Sequence, residues 1–452
     1  MTFSKNQILE AEICDINMLG FGVAKIDAAV FFVQNGVPGD IAKLKIIKCA
    51  KNYYVCRIEE LIKPSADRIE PECPHYKSCG GCSFWHIRYD TEKSLKRNFV
   101  ETCFRKVGLS NISVFPLIST DILKGYRNKA QYPVQLNENR EVISGFYLPR
   151  SHRLCKVDHC LIQDERFSKI TEFLCEFFNK NKILPYNEES DSGLVRHIYL
   201  RRGKASGEIA LCLVLRSNAF PKTNHLITEI IKTFPEIVSV SFNIQSRRTN
   251  IILGDQTITV YGKEKIEDVL CGKRFLISPK SFYQVNHDGA ELLYQTAFNC
   301  ADLSRYDLIV DLFCGIGSIS LSATTDVPIM GVEIVPEAVN DATKNAEING
   351  ISNAEFHCGD AADAFQMIKV RGATNPLVIV DPPRKGIGDK LICDLARNEI
   401  KNLLYISCNP ETMARDIKKL YDLGYVTNSV QPVDMFPRTA HVETVALLQK
   451  IF

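Results

Sequence analysis

The chain has 452 residues, of which 45% are hydrophobic and 24% charged, and a net charge of +2. It is long enough for two or three domains and too evenly charged to be basic throughout. Its longest apolar runs, 211–215 and 377–380, are far too short to cross a bilayer, and its first residues lack the apolar core of a secretion signal. A cytoplasmic protein with no membrane association is therefore expected, and no segment announces an obligate protein partner. Seventeen cysteines in such a chain read as core thiols, metal ligands or a catalytic thiolate rather than disulfides.

Residues 1–62 carry apolar runs at 8–14, 22–26, 29–33, 41–47 and 53–61, separated by glycine turns at Gly20, Gly36 and Gly39 and by polar turns elsewhere. Five short strands in such a span suit a small closed barrel of the OB type, a frequent platform for oligonucleotides. Basic residues cluster at Lys43, Lys45, Lys48 and Lys51, at Lys124, Arg127 and Lys129, and at Arg196, Arg201, Arg202 and Lys204. Tyr53, Tyr54, Tyr126, Tyr132 and Tyr199 lie among them, a mixture that stacks bases and neutralises phosphates.

Residues 63–275 read as a mixed α+β region. Cys73, Cys79 and Cys82 fall within ten residues, with Gly80 and Gly81 permitting a tight wrap. No second Cys-x2-Cys follows, so a distant fourth ligand is required, with Cys155 and Cys160 as candidates. Three close thiols and one remote suit either zinc or a four-iron cluster. A β-rich patch follows at 207–216, 237–245 and 250–262, the last two flanking Ser246–Thr249 as in a hairpin.

From residue 276 the rhythm becomes strand–helix–strand. Buried strands at 308–313, 329–333, 377–380 and 402–407 alternate with helices at 336–348 and 411–420, which predicts a parallel doubly wound sheet. Asp311-Leu-Phe-Cys-Gly-Ile-Gly317 ends the first strand with glycines that let a ligand lie close to the backbone. Glu333 ends the second strand, where a carboxylate accepts the ribose hydroxyls of a nucleoside cofactor, and Asp360 is placed to reach the adenine. The loop lacks the third glycine that a pyrophosphate needs, and Asp381-Pro-Pro383 ends the fourth strand, a habit of base-modifying methyltransferases. Both features favour S-adenosylmethionine.

The 402–407 strand delivers Cys408-Asn-Pro410 to the same edge, a setting that suits a nucleophile better than a core thiol. Glu443 precedes the apolar strand 444–448 and is a candidate base. A thiolate and a base together answer a chemical need. C5 of uracil is a poor nucleophile until a thiolate adds to C6, and the C5 proton must leave before the thiolate can.

These residues, with Phe282-Tyr-Gln284-Val-Asn286, Asp381-Pro-Pro-Arg384, Ser407-Cys-Asn-Pro410 and His441-Val-Glu443, resemble the RNA 5-methyluridine methyltransferases over nearly the whole chain. The likeness is nearest to the bacterial branch that acts on 23S ribosomal RNA. It implies a TRAM barrel over 1–62, a central RNA-binding domain with an iron–sulfur site over 63–275, and a class I methyltransferase domain over 276–452. It also implies Cys408 as nucleophile, Glu443 as base, and Gln284, Phe313, Glu333 and Asp381 around S-adenosylmethionine, with Asp360 beside them. Cys73, Cys79, Cys82 and Cys160, not Cys155, would hold a 4Fe-4S cluster. The transfer-RNA branch generally lacks barrel and cluster, so the expected partner is 23S rRNA. The competing readings are the same chemistry on a tRNA uridine, methylation of cytosine, and a non-catalytic ribosome-assembly factor.

Overall fold

The computed structural model describes residues 3–149 and 151–451. The five apolar runs at the N-terminus become a closed barrel. Ile8–Glu12 pairs with Ile41–Cys49, and Asp15–Ile16 carries the same stretch onto Phe21–Ile26. Ala29–Gln34 and Tyr54–Lys63 complete the circuit. Alternate residues, Phe31 and Val33 on one strand and Ala42, Leu44 and Ile46 on another, fill its interior. Ile16 and Val37 of the barrel pack on Phe84 and Ile87. Asp40 locks the contact: it accepts from Arg68 Nε at 3.0 Å and from the Ser65 amide at 2.9 Å.

The second sheet runs, in spatial order, Leu154–Lys156, Val142–Tyr147, Lys129–Leu136, Val195–Arg202, Ile209–Leu215, Ile237–Ile244 and Gln256–Gly262. Helices Glu165–Lys180 and Thr223–Thr233 cover one face. The last two strands are antiparallel neighbours, as the patterning predicts, although the second begins at Gln256.

The third sheet has the parallel core expected of a doubly wound domain. Its order is Ala354–Cys358, Ile329–Glu333, Leu308–Leu312, Pro376–Val380, Asn402–Ser407, Glu443–Lys450, Ser429–Asp434. Numbered along the chain from Leu308, that is 3-2-1-4-5-7-6, the order of class I methyltransferases. Helices Pro336–Ile348 and Pro410–Tyr421 fall where they were expected. Pro376–Val380 and Asn402–Ser407 are buried along their whole length, which is why they read as unbroken apolar runs.

The span 63–275 does not hold together around one sheet. Helix Tyr89–Lys106 and the short strands Ser113–Val114 and Ile118–Ser119 pack onto Ser429–Asp434 in the third sheet. The hairpin Ile266–Leu270/Lys273–Ile277 packs against helices His287–Ala301 and Pro336–Ile348. Two-residue strands carry no readable period, so patterning could not assign them. Among the described residues, no helix is long and apolar enough to cross a membrane.

Candidate active site

The C-terminal ends of the parallel strands bring two groups of residues together. The first lines a cleft of about 200 Å³ that includes Phe313, Glu333, Ile334, Asp360, Pro383 and Lys385. Phe313 holds a left-handed φ of 68°, costly for a residue with a bulky side chain, and remains 37% exposed. Gly317, at φ 78°, has no room for a Cβ, which would stand 2.9 Å from Leu321 and 3.1 Å from Phe356. Glu333 accepts from the Gly315 amide at 3.1 Å and the Val335 amide at 3.0 Å, so its carboxylate is fixed while lone pairs remain free to accept further hydrogen bonds. Asp311, buried beneath, is pushed up to about 7 by burial, and Glu333 adds to the push.

The second group comprises Asp381, Arg384, Cys408, His441 and Glu443. Strand Glu443–Lys450 runs antiparallel to Asn402–Ser407 with Thr444 opposite Ser407, and the Thr444 hydroxyl donates to the Ser407 carbonyl at 3.1 Å. Extending that register by one residue sets Glu443 across from Cys408. Burial pushes Glu443 up to about 8, with Asp381 adding to it and Arg384 opposing. Cys408 is pushed up to about 11 by burial, then by Glu443 and Asp381, again against Arg384. Asp381 rises to about 7 through burial and Asp311. At neutral pH the pair is thus largely carboxylic acid and thiol, and a cation entering the site would favour both anions.

Arg384 and His441 were legible in their motifs, but their contact was not. Arg384 Nη2 lies 3.2 Å from His441 Nε2, and burial followed by Arg384 lowers His441 to about 4, so the ring is neutral. Asn409 caps helix Pro410–Tyr421 by accepting from the Glu411 amide at 3.1 Å, and its Nδ2 donates to the Arg384 carbonyl at 3.0 Å. An Asn-Pro step at a strand end signals such a cap in sequence. Gln284 is not among the residues that line the cleft; it is buried, and its carbonyl accepts from Asn128 Nδ2 at 3.1 Å.

Cys73, Cys79, Cys82 and Cys160 share a cavity of about 200 Å³ walled by Tyr76 and Trp85. Cys155 is not on its wall; its thiol lies 3.5 Å from Ser78 Oγ. Burial raises Cys79 to about 11 and Cys82 to about 12, with neighbouring thiols adding to it. Among the described residues, no group of three or more His, Cys, Asp or Glu side chains has the geometry to hold a metal ion. The expected iron–sulfur site is therefore a thiol-lined cavity and not a formed ligand set.

Several residues of the basic clusters are already engaged. Lys43 pairs with Glu60 at 2.6 Å, and Arg202 bonds to Asp164. Arg196 lies over the Tyr186 ring at 4.4 Å, and Arg201 donates to the Ser281 carbonyl at 2.8 Å.

The sequence profile of the family described as tRNA (Uracil-5-)-methyltransferase matches residues 88–451. An uncharacterised RNA methyltransferase of Halalkalibacterium halodurans is 39% identical over 99% of this chain and 98% of its own length. One from Listeria monocytogenes is 40% identical over 98% of each. Among solved structures, the tRNA (uracil-54, C5)-methyltransferase of Pyrococcus abyssi in complex with S-adenosyl-L-homocysteine is similar to this chain. The TM-score is 0.78, at 27% identity, over 97% of this chain and 99% of that one. The cysteine–glutamate pair thus stands in a chain matched along nearly its whole length, and this chain belongs to the tRNA (uracil-5-)-methyltransferase family.

Proposed function

We propose that the protein methylates C5 of a uridine in RNA, with Cys408 as nucleophile, Glu443 as base and S-adenosylmethionine as methyl donor. The observation that carries this reading is the strand register that sets Cys408 across from Glu443, beside the cleft of Phe313, Glu333 and Asp360. In that cleft Glu333 suits the ribose hydroxyls, Phe313 offers a face for the adenine, and Asp360 its polar edge. Asp381 suits the end of the donor nearest the reacting base. Gln284 belongs to this set by family likeness alone.

Cys408 Sγ adds to C6 of the uracil, and the electrons of the C5=C6 bond move towards O4 to give an enolate. When bound, S-adenosylmethionine supplies the methyl group that C5 takes, and departs as the neutral sulfide. Glu443 then removes the C5 proton, the C5=C6 bond reforms and the C6–S bond breaks, returning the Cys408 thiolate. The positive charge of the donor favours the ionised forms of Cys408 and Glu443, which the resting site holds protonated. The target base must leave its stack to reach Cys408, so the barrel over 1–62 (a TRAM domain in this reading) and the second sheet would hold the flanking RNA.

For substrate, the ribosomal reading rested on a barrel and cluster absent from the tRNA branch. The Pyrococcus protein, named for tRNA, matches almost the whole chain, barrel region included, so the barrel does not separate the two substrates. We retain 23S rRNA as the first candidate and tRNA as the second. Mapping 5-methyluridine in both RNAs from a strain lacking the protein decides between them, and 5-methylcytidine in place of 5-methyluridine would overturn the uracil assignment.

A 4Fe-4S cluster held by Cys73, Cys79, Cys82 and Cys160, acting structurally, belongs to this reading by family likeness; the four thiols share one cavity but are not arranged there as a metal-ligand set. Anaerobically purified protein should be brown and contain iron; stoichiometric zinc without iron would refute the cluster. Incubation with the donor and RNA containing 5-fluorouridine should trap a covalent complex with the wild type and none with Cys408→Ala. Equal trapping would overturn the mechanism.

A further inference from the structure

Just ahead of Glu443 the chain makes a turn through Phe436, Pro437, Arg438 and Thr439, and its first three carbonyls, the Arg438 amide and the Arg438 guanidinium are held by residues between Ser83 and Tyr126. Arg438 is 4% exposed and holds a left-handed φ of 68°, unfavourable for arginine unless neighbours impose it. Its carbonyl accepts from the Ser83 amide at 2.9 Å and the Phe84 amide at 3.1 Å. Its amide donates to Glu92 Oε1 at 2.7 Å. Its guanidinium donates to the Ile87 carbonyl at 2.9 Å and lies over the Trp85 ring at 5.1 Å. On either side, the Phe436 carbonyl accepts from Lys96 Nζ at 3.1 Å and the Pro437 carbonyl from the Tyr126 hydroxyl at 2.9 Å.

The gripping segment begins at the last of the three clustered cysteines. Cys82 directly precedes Ser83, whose carbonyl accepts from the Tyr76 hydroxyl at 2.6 Å, and Tyr76 and Trp85 wall the cysteine cavity. Phe436 packs on the same group of side chains, and its ring meets that of His441 edge-on at 5.8 Å. The backbone of residues 82–84 is therefore a wall shared by the cavity and the turn that leads to Glu443.

We propose that Arg438 is a positioning residue for the catalytic base, and that residues 82–92 fix Glu443 through it. The cysteine cavity then has a task in this reaction without any electron moving: its packing sets the Ser83 and Phe84 amides, which set Arg438, which sets the start of strand Glu443–Lys450. The inference rests on the reading of Glu443 as the base. Misplacing Glu443 leaves addition of Cys408 Sγ to C6 and the methyl shift intact. The C5–H bond then persists, the C6–S bond cannot break, and methylated protein–RNA adduct accumulates.

The test compares wild type, Glu443→Gln, Arg438→Lys and Arg438→Met with unmodified substrate RNA and S-adenosylmethionine. Both Arg438 variants should lower kcat roughly 10- to 100-fold, leave KM for the donor within about twofold of wild type, and accumulate denaturant-resistant adduct as Glu443→Gln does. If Glu443→Gln forms no such adduct, the base assignment fails. If it does and the Arg438 variants do not, the positioning role alone fails. Should Arg438→Met not fold, Arg438→Lys keeps the charge and carries the comparison. A second readout needs no turnover. Amide hydrogen exchange over 436–443 should quicken in Arg438→Lys and Cys82→Ser while strand Asn402–Ser407 stays protected, and unchanged exchange over 436–443 in both overturns the proposal.

Discussion

At neutral pH the Glu443 carboxyl, pushed up to about 8 by burial and by Asp381, keeps its proton in the folded protein and loses it in the unfolded chain, where its ordinary value is 4.5. The fold therefore binds a proton that the open chain releases, and stability falls as pH climbs from about 4.5 to about 8. Glu443→Gln removes the titration while keeping shape and hydrogen-bonding capacity. It should abolish turnover and raise stability relative to wild type by up to about 5 kcal/mol above pH 8, with no gain below pH 4.5. Denaturant unfolding of both proteins at pH 4.5 and pH 9 checks this, and an equal gain at the two values would show that the carboxyl is not titrating as described. A buried acid that weakens the fold in its working pH range is the mark of a group kept for chemistry.

Helix Pro410–Tyr421 starts two residues after Cys408, so the positive end of its dipole lies close to that residue in the chain, where it favours a thiolate. Asn409 sustains that arrangement by capping the helix and holding the Arg384 carbonyl. Asn409→Ala should cost about 1 kcal/mol in thermal unfolding and slow formation of the 5-fluorouridine complex; an unchanged trapping rate would separate the helix end from the thiol. Much at this scale was legible beforehand. The strands ending in Glu333 and Ser407 and helix Pro336–Ile348 have the bounds that their patterning predicts, because each is a long apolar or amphipathic run with a clean stop. The facing of Cys408 and Glu443 was not legible. It depends on the last strand running antiparallel between two neighbours, which periodicity does not report. Arg438 escaped for a related reason: its partners lie at Ser83, Phe84, Ile87 and Glu92, and only the folded chain brings them near.

At the scale of the whole molecule, an apolar contact and the Asp40–Arg68 ion pair help join the barrel to the remainder. Asp40 is fully buried, which alone would raise it, yet hydrogen bonds from Arg68, Ser65 and Val37 hold it below the usual carboxylate range. Arg68→Ala leaves that charge uncompensated and should destabilise the barrel by about 3 kcal/mol near neutrality. The loss should narrow as pH falls through the carboxylate range, where the stabilisation from Asp40 disappears in wild type as well. Calorimetry at pH 7 and at a pH well below the ordinary carboxylate value of 3.8 measures both, and a pH-independent loss would point to packing instead of charge. Because Ile16 and Val37 rest on Phe84 and Ile87, a loosened barrel also uncovers the segment that grips Arg438.

The pairing of Ser407 with Thr444 has one further consequence, for how such a chain tolerates insertions and deletions. The turn between helix Pro410–Tyr421 and strand Tyr425–Val426 can change length, since it contains neither Cys408 nor the Arg438 turn. Losing one residue inside either strand is different: pleating would turn every following side chain to the opposite face, and sulfur and carboxylate would no longer share a side of the sheet. Descendants of this chain should therefore vary in that turn and keep the two strands free of gaps.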